Sequence, residues 1–118
     1  MALTNEEFTK CFFAEFRDIR RIKLAISEGR YTIWTRRDKP NFPDEYLMPI
    51  LLLPDSHRVR RKKRKSEGEG LAYIIELQYN CRVMGKLLPV YLKGYFTKKG
   101  QLMIAFEIQS LRANEERD

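Results

Sequence analysis

Histidine is almost missing from this chain. His57 stands alone in 118 residues, which argues against catalysis built on a histidine pair. The two cysteines, Cys11 and Cys81, are far apart and form neither a CxxC pair nor a metal-ligand cluster. They read as reduced, packed thiols rather than a disulfide framework or a metal site. No apolar run approaches a membrane span, and Met1-Ala-Leu-Thr-Asn-Glu-Glu7 lacks the basic-then-apolar layout of a signal peptide, so the expected location is cytoplasmic. Internal repeats, a Gly-rich phosphate loop, an HExxH pair and a Ser/His/Asp set are all missing. P-loop nucleotide hydrolysis and metalloprotease chemistry therefore have no support, and neither a metal nor a cofactor is expected.

What is present is positive charge on a globular composition. The formal net charge is +7, with 43% hydrophobic and 12% aromatic residues. The length suits one domain over residues 1–118 with a single core. The charge favours an anionic partner: nucleic acid, an acidic protein or an anionic surface.

The strongest pattern is a three-stranded β-meander over residues 71–108. Leu71–Tyr79 is rich in β-branched and aromatic residues. Leu88–Phe96 alternates, with Val90, Leu92, Gly94 and Phe96 on one side and Tyr91, Lys93 and Tyr95 on the other. Gln101–Ile108 follows a Lys98-Lys99-Gly100 turn. Period-two alternation between glycine-containing turns marks antiparallel strands. One face must bury, which leaves the other free to carry Gln78, Tyr91, Lys93, Tyr95 and Glu107.

Upstream, Thr4 and Glu7 fit a capping box. Phe8, Phe12, Phe16, Ile19, Ile22 and Ile26 then recur at spacings of three and four, and Gly29 follows as a C-cap. A long N-terminal helix from about residue 5 to about residue 28 is expected. Arg17, Arg20, Arg21 and Lys23 in its C-terminal half complement the helix dipole, either as a solvated face or as RNA contacts. Arg30–Arg36 reads as a short strand or extended segment. Asp44–Leu53 is open between a short helix, with Leu47, Ile50 and Leu51 inward, and an extended path imposed by Pro49.

Arg58-Val-Arg-Arg-Lys-Lys-Arg-Lys65 is almost wholly cationic and runs into Ser66-Glu-Gly-Glu-Gly70. Self-repulsion and glycine make a mobile basic loop the expectation over residues 55–70. Arg58, Arg60, Arg61, Lys62, Lys63, Arg64 and Lys65 can neutralise several phosphates, giving salt-sensitive and largely sequence-independent binding. A nuclear-import signal or a solubilising loop has the same composition. The tail, residues 112–118, reads as frayed or disordered. The fold expected is α+β: the long helix packed on a twisted antiparallel sheet of three to five strands.

Ile26-Ser-Glu-Gly-Arg-Tyr31, Pro89-Val-Tyr-Leu-Lys93 and Met103-Ile-Ala-Phe106 carry a resemblance. Helix, glycine and strand start, then a Val-Tyr-Leu-Lys strand and a closing strand ending in Phe, are similar to RelE-like bacterial toxins and closer to their MqsR branch. Gln78 stands as far before Tyr91 as that family's functional Gln stands before its Tyr. The resemblance implies a small basic mRNA endoribonuclease, working without metal on free or ribosome-bound mRNA and restrained by an antitoxin protein. It places catalytic roles on Gln78, Tyr91 and Lys93, with an upstream lysine near Lys62, Lys63 or Lys65. Two positions depart from the pattern: Glu107 replaces a lysine after the closing Phe, and Ala105 replaces a serine.

The chemistry suits those residue types. Cleavage at a ribose 2′-OH needs a base, cations on the in-line phosphate and an acid for the leaving oxygen. Lysine supplies charge, while Tyr91, Tyr95 and Tyr79 offer donors or stacking platforms. Gln78 can hydrogen-bond a base edge or a phosphate. Two other readings compete. One is a non-catalytic RNA- or ribosome-binding module, favoured by Glu107; the other is a protein-interaction module for an acidic partner.

Overall fold

The computed structural model describes residues 16–35, 37–63, 73–99 and 102–114. Thr4, Glu7, Phe8, Cys11, Phe12, Arg64, Lys65, Gly100 and the end of the tail lie outside the described residues. In chain order the elements are α1 (Phe16–Ser27), β1 (Tyr31–Ile33), a 3₁₀ helix (Asp44–Leu52), β2 (Val59–Lys63), β3 (Tyr73–Val83), β4 (Lys86–Lys99) and β5 (Leu102–Ala113). They build an α+β fold on one five-stranded sheet of order β1-β5-β4-β3-β2. The sheet is mixed rather than antiparallel throughout. β2 to β5 are antiparallel neighbours, but β1 lies parallel to β5, with Tyr31 opposite Phe106 and Ile33 opposite Ile108. Three residues alternate identically read in either direction, so no sequence pattern could reveal which way β1 runs.

Helix α1 is short, 12 residues, instead of the long helix expected from about residue 5; residues 5–15 of that span lie outside the described residues. Ile19, Ile22, Ala25 and Ile26 form its buried stripe, as the spacing predicts. Gly29 ends it at a positive φ of 72°. The Gly29 amide donates to the Ile26 carbonyl at 3.2 Å and the Arg30 amide to that of Ala25 at 2.7 Å, a Schellman closure. The last turn contains no basic residue, so the expected dipole complement is not what its cations do. Arg20 and Lys23 instead reach Asp55 at 2.7 and 3.2 Å, tying the helix to the turn before β2.

The open question at Asp44–Leu53 resolves as the 3₁₀ helix. Leu47 and Ile50 are buried, but Leu51 faces outward, because three residues per turn put position 47 and position 50 on one side. This helix and α1 cover one face of the sheet. Ile75, Leu77, Tyr79, Val90, Leu92, Phe96, Phe106, Ile108 and Leu111 supply the sheet side of that core. The Tyr79 hydroxyl donates to the Tyr46 carbonyl at 2.7 Å, which pins the 3₁₀ helix to β3.

The meander is longer than its hydrophobic pattern. β3 and β4 meet in a two-residue turn, Met84-Gly85, with φ of 50° and 79°, the geometry of a type I′ hairpin. The basic segment expected as a mobile loop is, over Val59–Lys63, an ordered edge strand on β3. Val59 anchors it in the core. Alternation then divides the cations between two faces, which relieves the repulsion that argued for disorder. At the other end β5 runs through Ala113, so Arg112 and Ala113 belong to the sheet and not to a frayed tail. No described helix is long and apolar enough to cross a membrane.

Candidate nucleic-acid interface

The second face of the sheet is where the polar residues gather, and strand register shows which ones meet. Arg60 of β2 stands opposite Glu76 of β3, which stands opposite Lys93 of β4, which stands opposite Ser110 of β5. One row along, Gln78 is opposite Tyr91 and Tyr91 opposite Arg112. In the rows toward the other end, Lys62 is opposite Ile74, and Tyr95 is opposite Glu107. Side chains at alternate positions share a face. Arg60, Lys62, Glu76, Gln78, Tyr91, Lys93, Tyr95, Glu107, Ser110 and Arg112 therefore form one surface. Among the described elements, neither α1 nor the 3₁₀ helix lies on it.

A β-bulge keeps β5 in this arrangement. The pairing skips between Lys93 and Gly94, so that Gly94 meets Ile108 while Lys93 meets Ser110. Gln109 is the extra residue, and the bulge returns Ser110 and Arg112 to the polar face. Asn41 supports the irregularity from outside. Its amide donates to the carbonyls of Trp34 and Gln109 at 2.6 and 3.4 Å, and its oxygen accepts from the Leu111 amide at 3.0 Å.

At the centre the face is not wet, contrary to the expectation for Tyr91. Tyr91 is 1% exposed and Glu76 likewise 1%. The Tyr91 hydroxyl donates to Glu76 Oε2 at 2.5 Å. Burial pushes the Tyr91 hydroxyl far above its ordinary range, and the hydrogen bond and charge of Glu76 push it further. Tyr91 thus keeps its proton, and its ring is not a platform for a base. The Arg112 guanidinium lies 5.1 Å from the ring centroid. Lys62 Nζ lies 3.2 Å from Glu76 Oε1, a charge contact lacking the directionality of a hydrogen bond, so Oε1 receives no directed donor. The sheet centre is a neutral phenol holding a buried carboxylate, with Arg60, Lys62, Lys93 and Arg112 around it.

The basic run divides by parity. Arg60 and Lys62 face this surface. Arg61 faces the other side, where its Nε is 3.3 Å from Oδ2 of the buried Asp18 of α1 and its guanidinium stacks 4.6 Å from the Tyr73 ring centroid. Arg61 therefore serves the helix–sheet contact. Arg58 precedes the strand and is exposed. Lys63 pairs through its backbone with Tyr73. His57 Nε2 sits 2.7 Å from the Gln78 carbonyl, a contact that requires a proton on Nε2. That contact joins the turn before β2 to β3.

Toward β1 the surface ends in aromatics. Tyr95 meets Trp34 edge to face, centroids 6.3 Å apart and planes at 88°. Trp34 Nε1 donates to Glu107 Oε1 at 3.3 Å.

Register thus brings Gln78, Tyr91 and Lys93 together, with Lys62 and Tyr95 on the same face. Glu76, Arg60's role beside it, Arg112 and Trp34 were missed as a group. The alternation Ile74-Ile75-Glu76-Leu77 holds the one available signal, a carboxylate inside an apolar strand facing Tyr91 and Lys93. Cys81 is buried with no disulfide partner among the described residues, and burial pushes its thiol up. Among the described residues, no group of three or more His, Cys, Asp or Glu side chains is placed to hold a metal ion. Comparison of the chain with protein-family models, with curated proteins and with solved structures finds no match.

Proposed function

We propose that the protein binds single-stranded RNA on the polar sheet face and cleaves it there without a metal, as an mRNA endoribonuclease of the kind its resemblance to RelE- and MqsR-like toxins implies. The observation that carries the reading is the buried Glu76 carboxylate, hydrogen-bonded by Tyr91 at 2.5 Å and surrounded by cations from three strands. A phosphate drawn to Arg60, Lys93 and Arg112 has its charge offset as it grows in the transition state. Lys62, with a side chain 47% exposed, swings from Glu76 to a phosphate oxygen and opens Oε1. Glu76 then takes the 2′-OH proton while O2′ attacks phosphorus. The P–O5′ bond breaks, and Lys93 gives the leaving oxygen its proton. The products are a 2′,3′-cyclic phosphate and a 5′-hydroxyl. Gln78, opposite Tyr91, hydrogen-bonds the substrate beside the scissile phosphate. Tyr91 holds Glu76 in position.

The resemblance adds mRNA, free or on the ribosome, as the substrate, the cytoplasm as the place, and an antitoxin protein as the restraining partner. A second reading, an RNA-binding module without catalysis, is favoured by one observation: Glu107 occupies the place of the family's late lysine and is hydrogen-bonded to Trp34.

Purified protein incubated with single-stranded RNA, alone and with translating ribosomes, separates the two. Cleavage ending in cyclic phosphate, lost in Glu76→Gln and in Lys93→Ala, is expected. RNA left intact under both conditions removes the enzyme reading. Salt-sensitive binding without cleavage leaves the module.

A further inference from the structure

Trp34 sits at the edge of the cationic surface in an arrangement the proposed chemistry does not use. It is 38% exposed, a large apolar side chain at the rim of a charged face. It is also held rather than loose. Tyr95 packs edge to face against it, Glu107 accepts from its indole N–H at 3.3 Å, and the Trp34 backbone amide donates to the Ile108 carbonyl at 2.8 Å. Asn41 grips the Trp34 carbonyl at 2.6 Å. An edge-to-face neighbour leaves at least one indole face uncovered by Tyr95. The fixed ring has therefore already lost the conformational freedom that stacking would otherwise cost.

Glu107 gives this platform a reading edge. Oε1 is engaged by Trp34, and no described residue donates to Oε2. A carboxylate only accepts, so the group beside the indole selects bases that present donors. Guanine presents two along its Watson–Crick edge, N1–H and the N2 amino group. Adenine, cytosine and uracil each offer one such group. A purine also covers more of an indole than a pyrimidine does.

We infer that Trp34, Tyr95 and Glu107 form a nucleobase subsite for single-stranded RNA, with guanine the base it takes best. The inference rests on the proposed reading of the sheet face as an RNA site. The strand lies with its phosphates over Arg60, Lys93 and Arg112 and one base turned toward β1 onto Trp34.

Trp34 is the single tryptophan of the chain, so its fluorescence reports this subsite alone. The test titrates the full chain with short 2′-O-methyl oligoribonucleotides, resistant to cleavage, that carry G, A, C or U centrally in an otherwise uridine context. Anisotropy of a terminal dye follows binding, and Trp34 emission is read separately. Quenching on binding is expected, with the G oligonucleotide bound at least several-fold tighter than the others. Trp34→Ala weakens it about tenfold, as loss of one stacked base does, while Trp34→Phe retains part of the affinity. Glu107→Gln, which keeps an acceptor for the indole, removes most of the preference for G over A. Binding by anisotropy with unchanged Trp34 emission overturns the subsite and leaves the sheet-face reading standing. Equal affinity for all four oligonucleotides overturns the guanine assignment. No binding of any of them overturns the sheet-face reading, and the subsite with it.

Discussion

The Tyr91 hydroxyl, donating to Glu76 Oε2 at 2.5 Å across β3 and β4, gives a buried carboxyl group its hydrogen-bond partner in the middle of a sheet. Removing the donor by Tyr91→Phe leaves a buried carboxylate short of a partner and should destabilise the protein by about 1–3 kcal/mol. Glu76→Gln retains a hydrogen-bond acceptor for Tyr91 and should cost less. Chemical denaturation measures both. If cleavage is lost in Glu76→Gln while stability is nearly unchanged, the carboxylate acts in the chemistry; parallel losses would assign it to the fold.

Parity along β2 makes its neighbouring cations separable. Arg60→Ala and Lys62→Ala should each weaken RNA binding and reduce the slope of log affinity against log salt by about 1. Arg61→Ala should leave that slope alone and lower the unfolding midpoint, because its partner is the buried Asp18. Salt titrations of binding on the three variants check this. A fall in slope for Arg61→Ala equal to the others would contradict the assignment of faces.

Gly94 allows β4 and β5 to approach where the bulge begins. A Cβ there would lie 2.5 Å from the Glu107 carbonyl oxygen and 2.9 Å from Cζ of Phe106. The backbone atom cannot move aside as a side-chain tip can. Gly94→Ala should cost about 1–3 kcal/mol as an overpacked site. It should also displace the β5 backbone that carries Glu107, so the Trp34 emission spectrum shifts. Thermal unfolding and fluorescence of the variant test both.

Alkaline pH should unfold the protein early. Burial raises both Tyr79 and Tyr91, with Glu76 adding to Tyr91. An unfolded tyrosine releases its proton near pH of about 10, while the folded ones hold theirs. Above that pH the folded state binds more protons than the unfolded state, so stability falls as pH rises. Below it both states are protonated and the contribution is constant. Denaturation midpoints between about pH 8 and about pH 11 should decline, with a shallower decline in Tyr79→Phe. A flat profile would contradict the burial of these phenols.

The hairpin turn offers a gain. Met84 holds a positive φ of 50° and is 96% exposed, so its side chain has little packing to lose. Met84→Asn suits the left-handed conformation better and should stabilise by up to about 1 kcal/mol. A lower melting temperature would be the contrary result.

Local rules carried much of the fold. The stripe Ile19, Ile22 and Ile26 marked a helix face because a helix repeats every 3.6 residues, and Gly29 marked its end because a left-handed residue must close it. The alternation of Val90, Leu92 and Phe96 marked a buried strand face for the same kind of reason. Gln78, Tyr91 and Lys93 were legible as one set because alternation within each strand is a local property. Other features depend on what a strand stands beside. The basic run reads as disordered by its charge, yet β3's free edge and the anchoring of Val59 order its first part as β2. Tyr91 reads as a wet residue, yet it is buried, with its hydroxyl on Glu76 of β3 and the Arg112 guanidinium of β5 beside its ring. The direction of β1 and the extra residue at Gln109 follow from register, which a strand's own pattern does not encode. Composition and periodicity determined the apolar stripe of α1 and the strands of the β3–β5 meander. Only the assembled sheet decided which cations share a face with Glu76, because hydrogen bonding between strands distant in sequence sets that neighbourhood.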